Sequence, residues 1–221
     1  MPYYAVRVGG ESSVCTTWDE CMSIVSENRK ARFKEFQFLE DAYRYAARGP
    51  QFDYSTFYPK TKPITKTIYT DGSLKVNQHT GKVTAGYGVF FGIGDPRNIS
   101  KPLYGKCLTN TEAEYTAILA ALKCINNLEE FDYRFEIMTD SQDAVDGLTL
   151  WYKKWEENGW INSKCERVRY KHLFQAILLE IGKINKVYHK NGWWPIEIKK
   201  VKAHSGDDGN DMADHLAFLS I

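Results

Sequence analysis

From about Ile64 onward the order of segments limits what this chain can fold into: three strand-like runs come first, and helices and strands alternate after them. The runs are TKTIYTDGS at residues 65–73, AGYGVFFGIG at 85–94 and ISKPLYGKCL at 99–108. Their spacing predicts an antiparallel meander, with an Asp-Gly turn ending the first strand at Asp71. A helix is expected from Thr111, because Ala117, Ile118, Ala121, Leu122 and Ile125 recur at helical spacing and form one apolar face. YRFEIMTD reads as a buried strand. SQDAVDGL, LTLWYKKWEENGW and ERVRYKHLFQAILLEIGKIN read as helices of increasing length, PIEIKKVKAH as a strand and NDMADHLAFL as a closing helix. Strands first and alternation later imply the α/β class, a mixed sheet covered by helices.

With 221 residues the chain holds one full domain and a small one. Residues 1–48 form the small α+β module. Tyr3 to Val8 and Val14 to Thr17 are strand-like, Asp19 can begin a helix carrying Met22, Ile24 and Val25, and Phe36 and Phe38 alternate before a helix from Leu39. Residues 49–63 lose periodicity and carry three prolines, which marks a linker, and 64–221 are the larger domain. No apolar run approaches a membrane span and the N-terminus lacks a signal-peptide core, so a soluble protein without a membrane partner is expected. The five cysteines are odd in number, scattered and without a CxxC pair, which favours a reducing intracellular setting over a disulfide framework or zinc site. A net charge of +1 gives no global sign of a polyanion partner. Between Lys164 and Lys202, however, ten Lys or Arg stand against three Asp or Glu, which fits a local basic surface.

Four carboxylates carry the chemistry: Asp71 in TDGS, Glu114 in TNTEAEY, Asp140 in MTDS and Asp214 in GNDMAD. Each alone has an ordinary explanation, as a turn residue, a capping-box partner of Thr111, an N-cap and a solvated helix face respectively. Position argues otherwise. Asp71 and Asp140 are expected at strand ends, Glu114 sits one turn before Ile118, and Asp214 shares spacing with Ala217 and Phe218. Four such charges at a sheet-helix junction repel one another unless cations neutralise them. Several converging carboxylates can hold two hard cations beside a phosphodiester, so phosphodiester cleavage is the chemistry implied.

Together TDGS at 70–73, TNTEAEY at 109–115, TDS at 139–141 and KAHSGDDGNDMAD at 202–214 resemble the ribonuclease H family, in its order, from about Ile64 onward. The resemblance implies a mixed five-stranded sheet flanked by helices. It implies an endonuclease that cuts the RNA strand of RNA–DNA hybrids with two Mg²⁺ ions, or Mn²⁺ in their place, leaving 5′-phosphate and 3′-hydroxyl ends. Asp71, Glu114, Asp140 and Asp214 match the family's metal ligands, and His204 matches its mobile histidine. A histidine's ordinary pKa, about 6.5, suits proton traffic at neutral pH.

The same resemblance implies where the substrate lies. Asn77 and Asn110 match minor-groove readers of the 2′-hydroxyl, and Thr109 matches part of a DNA-phosphate pocket. WYKKWEENGW resembles a substrate-handling protrusion in which Trp151 and Trp155 face one channel. Residues 1–48 resemble the small hybrid-binding, viroplasmin-like domain of eukaryotic ribonuclease H type 1. There Trp18 and Phe33 match aromatics that pack on the DNA strand, Lys34 a phosphate contact and Tyr4 a further contact, with duplex RNA as a second possible ligand. Glu35, Glu156 and Glu157 stand where the family favours Lys, Glu112 where Arg is frequent, and Asp143 where an aromatic can occur; Arg167, Arg169, Lys171 and Lys183 are placed to compensate. A monomer is expected. The rival readings are a non-catalytic hybrid or duplex-RNA binder on a decayed nuclease fold, and a viral or retroelement enzyme with the same chemistry.

Overall fold

The computed structural model describes residues 2–28, 30–36, 42, 45–46, 63–105, 107–128, 131–203 and 206–221. The chain divides into two compact units, Met1–Pro63 with Asn185–Pro195, and Ile64–Ile184 with Ile196–Ile221. Among the described residues no helix is long and apolar enough to cross a membrane.

The first unit holds an antiparallel three-stranded sheet in the order β2-β1-β3, with β1 at Tyr3–Val8, β2 at Glu11–Cys15 and β3 at Arg32–Phe36. Residues Tyr3 to Val6 are all buried because both faces of the central strand are covered. Tyr3 and Ala5 pack with Ala42 and Ala46, whereas Tyr4 and Val6 pack with Cys15 and Cys21. Helix α1, Trp18–Glu27, starts one residue before the expected Asp19. Thr17 is its N-cap and forms a capping box with Glu20, so Trp18 falls in the first turn. Of the helix expected from Leu39, Ala42, Tyr45 and Ala46 are described and helical; the linker, save Pro63, lies outside the described residues.

The second unit is built on a five-stranded mixed sheet in the order β6-β5-β4-β7-β8. β4 is Thr65–Val76, β5 Val83–Phe90, β6 Ile99–Leu103, β7 Arg134–Thr139 and β8 Glu197–Lys200. β4, β5 and β6 form the expected antiparallel meander, and β7 and β8 add in parallel on the other side of β4. The expected Asp-Gly turn does not exist. β4 runs straight through Asp71 and Gly72, which pair with Gly88 and Tyr87, and the chain reverses only after Val76.

Helix packing explains why glycine is there. Helix α2, Asn110–Asn126, lies so close to β4 that a Cβ on Gly72 would come within 2.5 Å of the Glu114 backbone nitrogen and 2.9 Å of Ala113 Cβ. On the opposite face, the last helix meets Gly88 in the same way, with the Ala217 nitrogen 2.6 Å from where a Cβ would stand. α2 starts at Asn110 and not at Thr111, because the Thr109 side chain accepts a hydrogen bond from the Glu112 N–H at 3.1 Å.

The two short helices expected between residues 141 and 160 form one run: α3 at Gln142–Asp146, a π-helical turn at Gly147–Trp151 and α4 at Tyr152–Glu157. Helix α5, Lys171–Lys190, begins later than the pattern from Glu166 suggested. Arg167 is instead bridged to Ile161 across a short loop. Helix α6, Asp208–Leu219, closes the chain. Its packed face carries Asn210, Ala213 and Ala217; Phe218, expected on that face, is 55% exposed.

These contacts predict opposite outcomes at two glycines in the same unit. Gly72→Ala should cost about 1–3 kcal/mol by overpacking a backbone approach. Gly182→Ala, where nothing lies within 4 Å of a Cβ, should gain about 0.5–1 kcal/mol from helix propensity. Thermal denaturation of both variants checks the pair.

Candidate active site

Asp71 is the centre of the site. It shares a sheet face with Gly88, against which α6 packs, and is only 6% exposed. Its Oδ1 accepts the Gly72 N–H at 2.8 Å. Among the described residues, the charged groups that act on it are both acids: Asp140, the residue after β7, and Asp214 of α6, which shares a hydrogen bond with it. Burial and then the charge of Asp140 push the Asp71 carboxyl up to about 8, with Asp214 adding to the effect and the Gly72 N–H opposing it.

Glu114 rides on the first turns of α2. Its Oε2 accepts the Ser141 hydroxyl at 2.5 Å and its Oε1 accepts the Asn110 side-chain amide at 2.7 Å. Burial raises its pKa, helped by the charges of Asp140 and Asp143 and opposed by the bonds from Ser141 and Asn110. Asp140 is not the N-cap of α3; Ser141 is, accepting the Ala144 N–H at 3.3 Å. The Asp140 carboxylate is thus left to the acidic group.

The structure therefore brings Asp71, Asp140 and Asp214 together and sets Glu114 beside Asp140. Among the described residues no group of three or more His, Cys, Asp or Glu is gathered tightly enough to hold a metal ion as it stands. The donor set nevertheless suits a hard divalent cation, since all four groups are carboxylates and the buried one is pushed toward its protonated state by burial and by the charge of its acidic neighbours. His204 lies outside the described residues.

The expected substrate contacts fall into separate groups. Asn110 is exposed and tied directly to Glu114. Thr109 caps α2 and is hydrogen-bonded to the Tyr170 hydroxyl at 2.5 Å. Asn77 sits in the β4–β5 hairpin, where its Oδ1 accepts the His79 and Thr80 N–H groups. Trp151, which ends the π turn, and Trp155 of α4 stand with ring centroids 5.7 Å apart, and Trp155 also packs on Phe174. Of the compensating cations, Arg167, Arg169 and Lys171 are exposed, whereas Lys183 is bound to Glu180 at 2.8 Å.

In the first unit Trp18 and Phe33 are 47% and 43% exposed and stack edge to face at 5.5 Å. Tyr4, expected to touch nucleic acid directly, is buried with its ring edge against Trp18, which makes it that residue's support. Lys34 does not join them. Adjacent strand residues face opposite ways, so Phe33 pairs with Val6 on the α1 face while Lys34 pairs with Ala5 on the other and lies over the Phe36 ring. Two residues of the larger site had not been singled out from the sequence. Ser141 was legible only as the tail of TDS, and Tyr170 carried no local signal.

Residues 63–220 match the family model of RNase H, and residues 2–46 that of the Ribonuclease H1 N-terminal domain. The chain is 30% identical over 268 residues to Ribonuclease H of Schizosaccharomyces pombe, covering 97% of this chain and 95% of that one. It is 27% identical over 266 residues to Ribonuclease H1 of Homo sapiens, covering 97% and 87%. Among solved structures it resembles the foamy viral protease-reverse transcriptase in complex with dsDNA, with a TM-score of 0.54 and 23% identity over 70% of this chain and 92% of that one, a likeness of fold.

The Asp71 environment predicts a stability profile. A carboxyl whose folded-state pKa is raised binds its proton more tightly when folded, so stability is full below about pH 4 and falls as pH rises to about 8. Asp71→Asn should flatten this decline in the metal-free chain. Its melting temperature should exceed that of the parent more at pH 8 than at pH 5, at about 2–4 °C for each kcal/mol. Parallel melting curves across that range would refute the assignment.

Proposed function

Because the chain belongs to the ribonuclease H family, we infer that it is an endoribonuclease that hydrolyses the RNA strand of RNA–DNA hybrids. The observation that carries this reading is the buried Asp71, flanked by Asp140 and Asp214 with Glu114 alongside. The family depends on divalent metal. In this chain the four carboxylates would hold two Mg²⁺ ions, with Mn²⁺ able to replace them. Bound cations supply Lewis acidity toward a phosphodiester and screen the acids from one another.

The chain's own groups do the rest. Gly72 fixes one oxygen of Asp71, while Asn110 and Ser141 orient Glu114. Exposed Asn110 and Asn77 are suited to a 2′-hydroxyl in a shallow minor groove. His204 is the proposed proton carrier, and the products are 5′-phosphate and 3′-hydroxyl ends. Trp151 and Trp155 offer faces to the DNA strand, and Trp18 with Phe33 offers a second stacking platform in the first unit. All four acids come from one chain, which supports a monomeric working unit. Five free cysteines support a reducing intracellular setting.

Two measurements test the reading. Asp140→Asn should abolish cutting of a labelled hybrid in Mg²⁺ while fluorescence anisotropy shows hybrid binding retained; undiminished cutting would sink the proposal. If the parent chain binds hybrids and cuts none at any Mg²⁺ or Mn²⁺ concentration, the non-catalytic binding reading replaces it. Trp18→Ala combined with Phe33→Ala should weaken hybrid binding by about 1–3 kcal/mol for each stacked base lost and leave kcat unchanged.

A further inference from the structure

Glu114 is gripped at both carboxylate oxygens, and the two grips are not equivalent. Asn110 lies one turn earlier on the same helix, so its amide sets the carboxylate relative to α2 alone. The Ser141 hydroxyl reaches Glu114 from the end of β7, 27 residues away in sequence. We infer that Ser141 is a positioning residue for the cation site, its hydroxyl aiming Glu114 toward Asp140. The inference rests on the ribonuclease reading above.

The hydrogen-bond inventory leaves the hydroxyl one arrangement. A serine hydroxyl has a single proton and two lone pairs. The Ala144 N–H occupies a lone pair, and an ionised carboxylate can only accept, so the proton goes to Glu114 Oε2. Ser141 itself is 6% exposed, and its N–H is held by Thr139 Oγ1 at 3.3 Å. Thr139 is anchored in turn by the Val201 N–H on its carbonyl at 2.9 Å. The hydroxyl is therefore fixed to the strand frame that carries Asp140, the preceding residue, and it transmits that frame to an acid on another element. Each Glu114 oxygen has a lone pair left for a cation after these bonds are made. Without the serine proton, Glu114 would keep Asn110 and lose its alignment with Asp140. Groups that orient metal ligands in this way typically change metal affinity by about 10–100-fold when removed.

The test is Mn²⁺ binding to the full chain without substrate, by isothermal titration calorimetry, with melting temperatures recorded in the absence of metal. Ser141→Gly removes the hydroxyl and retains an acceptable N-cap, whereas Ser141→Thr keeps both the hydroxyl and the cap. Glu114→Gln is the reference. Mn²⁺ affinity should fall about 10-fold or more in Ser141→Gly and stay close to the parent's in Ser141→Thr, with similar metal-free melting temperatures. Parent-like affinity in Ser141→Gly alongside a loss in Glu114→Gln would overturn the role of Ser141, as would an equal fall in Ser141→Thr. Unchanged affinity in Glu114→Gln would overturn instead the reading of Glu114 as a ligand, on which the inference depends.

Discussion

Two close approaches of helix to strand, at Gly72 and Gly88, set the geometry on which the site depends. Packed helices and sheets ordinarily keep side chains between their backbones. Here α2 and α6 come down onto the bare backbone of β4 and β5, from opposite faces, because two positions carry no Cβ. α6 thereby brings Asp214 against Asp71, and α2 brings Glu114 to the rim where Asp140 leaves β7. Wider spacing at either glycine would separate the acids and admit water between them.

That closeness has an energetic cost. A carboxylate buried among carboxylates is destabilised twice, by loss of hydration and by repulsion, and the raised Asp71 pKa expresses both. The surrounding structure compensates locally where it can, through the Gly72 N–H and through the neutral donors Ser141 and Asn110 on Glu114. These donors bring no positive charge. Among the described residues the centre thus stays electrostatically unsatisfied, which is the condition under which a divalent cation binds with advantage.

Much of this was legible in the sequence. The five strands, their order and the four acids follow from periodicity and from motif frames that differ in kind from loop or surface residues. What escaped was tertiary in origin. Asp71-Gly72 has the local chemistry of a turn, and only a helix some forty residues downstream, resting on Gly72, explains why glycine sits inside a strand. The cap of α2 moved from Thr111 to Thr109, since either hydroxyl could serve by propensity and packing selected one. Lys34 shows a different effect of tertiary register. Alternation along β3 puts it and Phe33 on opposite faces, a separation that adjacency in sequence does not display.

The π turn at Gly147–Trp151 makes chain length a structural quantity. A π turn accommodates one residue more than the α-helical turn it replaces, and here it links α3, just behind the acids, to α4, which carries Trp155. Removing one residue from the segment would let the run close into continuous α-helix, and because either turn makes about one full rotation, the residues after it would keep their orientation relative to α3. Trp155 would stay on the face where its ring packs against Phe174 at 5.0 Å. Over evolutionary time this stretch can accept substitutions that keep its packing, such as one apolar residue for another at Leu148. It can also absorb the loss of one residue by reverting to an α turn, so a one-residue alignment gap between relatives is accommodated best within 147–151.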